Sequence, residues 1–146
     1  MIPFFVLSGV FILCRCLGFV GIEFFTGWQH CLRVAVAAVF LLTASAHWGK
    51  RRSDLIRMVP PAFPRPDILV TLTGIAEILG AIGMLWPPVA KAASVGLAVL
   101  LVAIFPANVY AAQHQLTIGG RKVPGMFVRT ALQIVFFLAV VAAGWY

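Results

Sequence analysis

The sequence has few charged residues, and acidic residues are the rarest of them. Only 10% of its 146 residues are charged, and four Asp or Glu stand against eleven Lys or Arg. These few carboxylates form no acidic metal cluster in the sequence. The hydrophobic fraction is 62%, whereas a soluble domain of this size needs a larger polar fraction to cover its surface. The composition therefore indicates one membrane domain.

Motifs for catalysis and for nucleic-acid binding are missing as well. The sequence has no phosphate loop, no nucleophile elbow and no RNA- or DNA-binding fingerprint. Its three cysteines form no Cys-x-x-Cys pair, and its histidines lack the spacing of a haem or metal site. The net charge of +7 arises mostly in two connectors, which membrane topology and anionic lipid explain. We therefore expect no metal and no nucleic-acid partner, and we favour a protein without catalytic activity of its own.

Five apolar stretches are long enough to cross a bilayer, which takes roughly 17–25 helical residues. They cover residues 3–25, 32–48, 68–86, 89–112 and 126–146. None alternates with a period of two, and a backbone in lipid must satisfy its own hydrogen bonds, so helices are predicted. We predict an all-α transmembrane bundle, in which residues 1–27 form an extra N-terminal helix and residues 28–146 a four-helix core. The first stretch lacks a basic start and a cleavage site, although a cleaved or interfacial first stretch would leave four crossings.

The basic residues divide unequally between the two predicted sides. Five crossings place Arg33 and Lys91 on one side. The side of the amino terminus then holds Lys50, Arg51, Arg52, Arg57, Arg65, Arg121, Lys122 and the nearby Arg129. The positive-inside rule predicts a cytoplasmic amino terminus and a carboxyl terminus on the outer side.

Both basic connectors carry signals of local structure. In residues 49–67, Ser53 can cap a short interfacial helix that Pro60 and Pro61 end, and an extended proline-rich run follows. In the second connector, Gly119 and Gly120 separate two short apolar or basic runs. This pattern is typical of a β-hairpin with a primed turn.

Glu77 lies near the middle of the third stretch, where a carboxyl group is costly. We therefore expect it to face the interior and to have a partner. Counted at about 1.5 Å per residue, Glu77, Gln133 and Arg15 lie about 14, 11 and 18 Å deep, so they are expected to meet at one level. Two interpretations stay open: a structural clamp between helices, or a carboxyl that moves protons or binds a ligand.

A second polar group lies nearer the basic side. It comprises His47, Asn108, His114 and Arg129. Pro106 cannot donate a hydrogen bond to Val102, which predicts a kink in the fourth span close to Asn108. Together with Glu77, these residues predict a polar pocket that opens toward the basic side.

Several motifs together resemble the DoxX-like membrane proteins of bacteria. The resemblance spans roughly residues 30–140 and rests on RMVPP at 57–61, FPRP at 63–66, TGIAEILGA at 73–81, FPANVY at 105–110 and Arg129 with Gln133. The positions that match the family pattern are His47, Pro60, Pro61, Glu77, Pro106, Asn108, Arg129 and Gln133.

The resemblance implies a four-helix domain in the bacterial inner membrane, with the first stretch as an addition. The family takes its name from a subunit linked to thiosulfate:quinone oxidoreduction, and some relatives are associated with redox complexes. It implies a non-catalytic or accessory component of a quinone-linked membrane system, with quinone as the candidate ligand and a redox subunit or a second copy of the chain as candidate partners beside lipid. The candidate site is Glu77, Asn108, His47, Arg129, Gln133 and Arg15. A small proton-linked transporter and a structural assembly factor remain alternatives.

Overall fold

Six α-helices, one 3₁₀-helix (Glu23–Phe25) and one short hairpin form the secondary structure of residues 2–145, the part of the chain that the computed structural model describes. The helices are α1 (Ile2–Phe19), α2 (Trp28–Ser45), α3 (Arg52–Met58), α4 (Pro66–Leu85), α5 (Pro87–Gln113) and α6 (Met126–Trp145). All except α3 are long and apolar enough to span a membrane. The predicted all-helical fold with five such spans is confirmed. Met1 and Tyr146, which end the predicted domain and its last span, lie outside the described residues.

Four of the long helices form a closed ring. Helix α4 packs between α2 and α5, and α6 packs between α5 and α2. Helix α1 packs mainly against α2, on the outside of this ring. Glycines let the helices approach closely: a Cβ on Gly80 would lie 2.3 Å from Leu97, and one on Gly144 would lie 2.2 Å from Ser94.

The outer surface of the ring is apolar. Leu79, Val99 and Phe127 are 65%, 63% and 85% exposed. Side chains of this kind, repeated on the long helices, need an apolar surrounding to cover them. This surface and the five apolar helices together indicate a membrane protein.

The two ends of the bundle differ in charge. We call the end at which α2 and α5 finish and α4 and α6 begin the basic end. Eight of the eleven basic residues lie there: Lys50, Arg51, Arg52, Arg57, Arg65, Arg121, Lys122 and Arg129. The opposite end holds Arg33, Lys91 and also Arg15, which donates a hydrogen bond to the Thr26 carbonyl at 2.6 Å.

The first connector differs in detail from its prediction. Helix α3 begins after Arg51 and has no side-chain cap, so Ser53 lies within its first turn. The helix ends before Pro60, as expected from a residue that cannot continue the hydrogen-bond pattern. Pro66 is the first residue of α4, where its missing N–H has no intrahelical partner to lose. The run between Pro60 and Pro66 is not extended as predicted: the Phe63 N–H donates to the Pro60 carbonyl at 3.0 Å and closes a turn there.

The second connector is the predicted hairpin. Strands β1 (Thr117–Ile118) and β2 (Arg121–Lys122) pair antiparallel. Gly119 and Gly120 have φ values of 58° and 76°, which a primed turn requires. The Gly119 amide donates to the Asp54 carboxylate at 2.8 Å, and this bond joins the hairpin to α3. The Gly119 amide, followed by the Arg57 guanidinium, holds the pKa of Asp54 below its usual value.

Candidate functional site

The Glu77 side chain extends from α4 toward the end of α2, and both of its carboxyl oxygens have partners there. The Thr43 hydroxyl lies 2.7 Å from Oε2, and His47 Nε2 lies 3.4 Å from Oε1. Glu77 is only 4% exposed, and His47 is 8% exposed. We call Glu77, His47 and Thr43 the α2–α4 cluster. A buried carboxyl with this arrangement holds two helices together because neither partner can leave without exposing it to an apolar surrounding.

The second ring nitrogen of His47 determines where the protons lie. His47 Nδ1 is 2.6 Å from the Val70 carbonyl oxygen, and a carbonyl can only accept, so Nδ1 carries a proton. If Nε2 and Glu77 Oε1, 3.4 Å apart, form a hydrogen bond, one further proton must lie between the two atoms. That proton belongs either to an imidazolium facing a carboxylate or to a carboxyl facing a neutral imidazole. Both forms have no net charge, and the short separation of Nε2 and Oε1 lets a proton pass between them.

A glycine on α4 gives His47 its place. A Cβ on Gly74 would lie 2.8 Å from His47 Cβ and Cγ and 2.8 Å from the Trp48 ring. Such distances are too short for any side chain, so only glycine lets His47 lie against α4 at this level. Gly74 and Glu77 are three residues apart and therefore share one face of the helix.

Arg52 closes the cluster on the side of the basic end. Its guanidinium donates to the His47 carbonyl at 2.8 Å and to the Thr71 hydroxyl at 2.9 Å. It also donates to the Asp67 carbonyl at 3.1 Å. The first residue of α3 thus ties the end of α2 to the start of α4.

Asn108, Arg129 and Gln133 form a second cluster, between α5 and α6. Arg129 Nη1 donates to Asn108 Oδ1 at 2.6 Å, and Asn108 Nδ2 lies 3.5 Å from Gln133 Oε1. Gln133 Nε2 donates to the Leu101 carbonyl at 2.5 Å. Arg129 Nε is buried and, among residues 2–145, has no hydrogen-bond partner. We call these three residues the α5–α6 cluster.

A groove of about 310 Å³ runs along the outer surface beside this second cluster. Its lining residues are Val102, Phe105, Thr130, Gln133, Ile134, Phe137 and Leu138. Thr130 and Gln133 are the polar members, and the others are apolar. Val102, Ile134 and Leu138 are exposed at 61%, 54% and 59%, so the groove opens on the face that lipid would cover.

The structure separates residues that the depth estimate placed together. Arg15 binds Thr26 just before α2 begins, whereas Glu77 binds Thr43 near the end of α2. About 22 Å of helix α2, from Trp28 to Thr43, lies between those two points at 1.5 Å per residue. The expected meeting of Arg15 with Glu77 therefore does not occur, because α1 lies outside the ring.

Gln133 also lies apart from Glu77, since its contacts are with Asn108 and Leu101. Within the described part of the chain, no hydrogen bond or ion pair joins the two clusters. His114 is exposed, and its Nδ1 lies 2.9 Å from the Tyr110 carbonyl of its own helix. The single pocket predicted from the sequence is thus two sites on two different helix pairs.

Two residues of the first site were not predicted. Thr43 precedes His47 by four residues, and that spacing places both on one side of the chain near the end of α2. It was missed because a threonine in an apolar helix usually bonds to its own backbone, as Thr43 also does with the Phe40 carbonyl at 3.1 Å. Arg52 was used only as one of the basic residues that predict membrane orientation, and nothing in its neighbouring sequence distinguishes it from Arg51.

The fold and these sites define a class: a small helical membrane protein with polar clusters between its helices. Residues 36–144 match the family described as a domain of unknown function (DUF8561), and the chain belongs to that family. The matched region covers the closed ring from within α2 to within α6 and leaves α1 outside. Comparison with curated proteins and with solved structures found no match.

Proposed function

We propose that this protein is a non-catalytic, accessory component of a quinone-linked redox system in the bacterial inner membrane. The observation that carries the proposal is that Glu77 binds Thr43 and His47 with its two oxygens. A carrier needs its intramembrane carboxyl to meet a substrate, whereas this carboxyl is buried and bound within the protein. The α2–α4 cluster then acts as a clamp that keeps the ring closed.

The redox association rests on the resemblance to DoxX-like proteins, and the α5–α6 groove supports the quinone. A quinone combines an apolar tail with a ring whose carbonyls accept hydrogen bonds. The groove is almost wholly apolar, as a quinone tail requires, and Thr130 and Gln133 are its polar residues. The Gln133 amide is bound to Asn108 and to the Leu101 carbonyl, so a head group would have to share or replace these hydrogen bonds. The head group would lie at Thr130 and Gln133 and the tail along Ile134 and Leu138.

We further propose that the basic end faces the cytoplasm. Eight of eleven basic residues lie at that end, and short loops rich in Lys and Arg stay on the cytoplasmic side. The amino terminus is then cytoplasmic and the carboxyl terminus periplasmic or extracellular.

Gentle purification from native membranes tests the accessory role. Mass spectrometry of the purified protein should detect an oxidoreductase subunit or a quinone at near-stoichiometric amounts. The double variant Thr130→Val, Gln133→Leu should lose the quinone, whereas Gly96→Ala, at a glycine with open space around it, should keep it. Protein recovered with neither a quinone nor a redox subunit would contradict the proposal.

Proton-linked transport is the second candidate, and the shared proton of His47 and Glu77 favours it. Glu77→Gln keeps a hydrogen bond to His47, since its amide can donate to Nε2, but it removes the exchangeable proton. Under this candidate, liposomes that contain Glu77→Gln should lose proton-dependent uptake. Unchanged proton-dependent uptake in the same variant would contradict this candidate.

A further inference from the structure

Two arginines, Arg57 and Arg51, lie near the Asp54 carboxylate at the basic end, and two further cations lie on the adjoining strand. Arg57 forms an ion pair with Asp54, and the Gly119 amide binds the same carboxylate. Arg51 also lies at the hairpin tip, with its Nε 3.5 Å from where a Cβ on Gly119 would be. Arg121 and Lys122 form strand β2, next to that tip. We call Arg51, Arg57, Arg121 and Lys122 the hairpin cations.

The cluster carries more positive than negative charge, and its cations are accessible. The Arg57 side chain is 62% exposed although it pairs with Asp54. Arg51, Arg121 and Lys122 are exposed as well. This part of the surface therefore carries four cations and one carboxylate, and the excess positive charge is available to an external anion.

Asp54 gives the cluster a defined geometry. Its carboxylate binds α3 through Arg57 and the hairpin through Gly119, so both elements keep fixed positions relative to each other. Cations on unstructured loops would attract anions without any such geometry. A preorganised set of donors loses less conformational entropy on binding and holds one anion more tightly.

The aromatic side chains at the same end indicate the depth of the cluster. Trp48 and Phe63 are 48% and 46% exposed, and both lie in or beside the connector that contains α3. Aromatic side chains at the ends of membrane-spanning helices lie at the level of the lipid head groups. The hairpin cations are therefore placed beside head groups rather than far out in solvent.

We propose that the hairpin cations form a binding site for the phosphate head group of an anionic phospholipid. Arginine guanidinium groups suit phosphate because their paired N–H donors match its oxygens, and Lys122 adds a point charge. The site differs from the general attraction of basic loops to anionic membranes in its dependence on the link between Asp54 and Gly119.

Replacing Asp54 distinguishes a site with a fixed arrangement of cations, which we call a built site, from attraction by net positive charge alone. Asp54→Ala removes a negative charge, so attraction by charge alone would bind anionic lipid more tightly. The same variant frees the hairpin from α3, so a built site would bind it more weakly. Charge alone predicts an affinity for phosphatidylglycerol about fivefold higher, whereas we expect a lower affinity than that of the unchanged protein.

The experiment uses the full chain in phosphatidylcholine nanodiscs with added phosphatidylglycerol, and native mass spectrometry counts the bound lipid. Arg121→Gln should also lower the affinity about fivefold. Lys91→Gln, which removes one charge at the opposite end, should leave it unchanged. Inorganic phosphate at millimolar concentration should not displace the lipid, because it lacks the apolar part that holds a lipid beside the helices.

Tighter or unchanged binding in Asp54→Ala would overturn the proposal, and so would equal binding of phosphatidylcholine. Preferential binding of an acidic polypeptide such as polyglutamate, without phosphatidylglycerol binding, would assign the surface to a protein partner instead. Thermal unfolding in parallel shows whether each variant is folded. If Asp54→Ala does not fold, the double variant Arg51→Gln, Arg121→Gln decides, and unchanged lipid binding in it would equally overturn the proposal.

Discussion

The two polar clusters join different helix pairs, and they differ in whether all of their buried polar atoms have partners. In the α2–α4 cluster, Glu77 and His47 are buried, and each of their polar side-chain atoms has a partner. In the α5–α6 cluster, Arg129 Nε has no partner in the described residues, and a groove opens beside Gln133. The α2–α4 cluster is therefore a closed clamp, whereas the α5–α6 cluster, which we call the seam, leaves one buried donor without a partner in the described residues.

The largest effect is expected from removing the carboxyl of the clamp. Glu77→Ala leaves a cavity and an unpaired His47 Nε2, and we expect it to lower the free energy of unfolding by about 2–5 kcal/mol. Thermal unfolding in detergent measures the loss. Glu77→Gln is the matched control and should lose about 1 kcal/mol or less, because its amide can replace both hydrogen bonds. Equal losses in the two variants would show that the hydrogen bonds of Glu77 do not stabilise the clamp.

Gly74→Ala disturbs the same clamp because it adds a methyl group where there is no space, while it leaves the polar side chains unchanged. The new Cβ would lie 2.8 Å from His47 and from Trp48, so His47 must move away from Glu77. We expect a loss of about 1–3 kcal/mol and a changed His47 side-chain resonance in the NMR spectrum. Gly96→Ala adds a methyl group where no atom lies within 4 Å, and it should leave both measurements almost unchanged. An unaltered His47 resonance in Gly74→Ala would contradict the assigned packing.

A smaller effect is expected in the seam. Arg129→Gln removes the 2.6 Å hydrogen bond to Asn108 but also removes the unpartnered Nε, so the two changes partly offset each other. We expect a loss of about 1 kcal/mol, typical of a polar contact between membrane helices. Arg65→Gln, at an exposed position of the same end, is the control for lost charge. A loss as large as that of Glu77→Ala would mean that the seam is as essential as the clamp.

Arg15 should have the smallest effect. Arg15→Gln breaks an exposed hydrogen bond to the Thr26 carbonyl, and we expect a loss of about 0.5–1 kcal/mol with no change at His47. The His47 NMR resonance is the decisive measurement. A shifted resonance would place Arg15 within reach of the clamp, against the position observed here.

Much of the fold was predictable because lipid restricts the choices of the chain. Apolar length alone identified the five spans, and the glycine pair at Gly119 and Gly120 identified the hairpin. The cost of a buried carboxyl identified Glu77 as an interior residue with a partner. Each of these inferences depends on local sequence and on a single physical property: the length of an apolar span, the conformation of a turn or the cost of burying a charge.

The partners of Glu77 could not be predicted in the same way. Counting depth gives the height of a residue in a bundle but not which helices are neighbours, so Arg15 and Gln133 were matched with Glu77 although they lie on other helix pairs. The end of α3 was predicted correctly from Pro60, whereas its start was misplaced by two residues because no side chain caps it. Packing order and uncapped helix starts depend on the assembled structure.

Helix α5 has 27 residues, and α2 has 18. At 1.5 Å per residue these lengths are about 40 Å and 27 Å, around a hydrocarbon layer of about 30 Å. Helix α5 must therefore tilt or extend beyond the layer, whereas α2 fits within it. Because the two helices belong to one rigid ring, the local bilayer has to adapt to both lengths at once. The protein should consequently deform the membrane around it unevenly, more strongly on the side of α5 than on the side of α2.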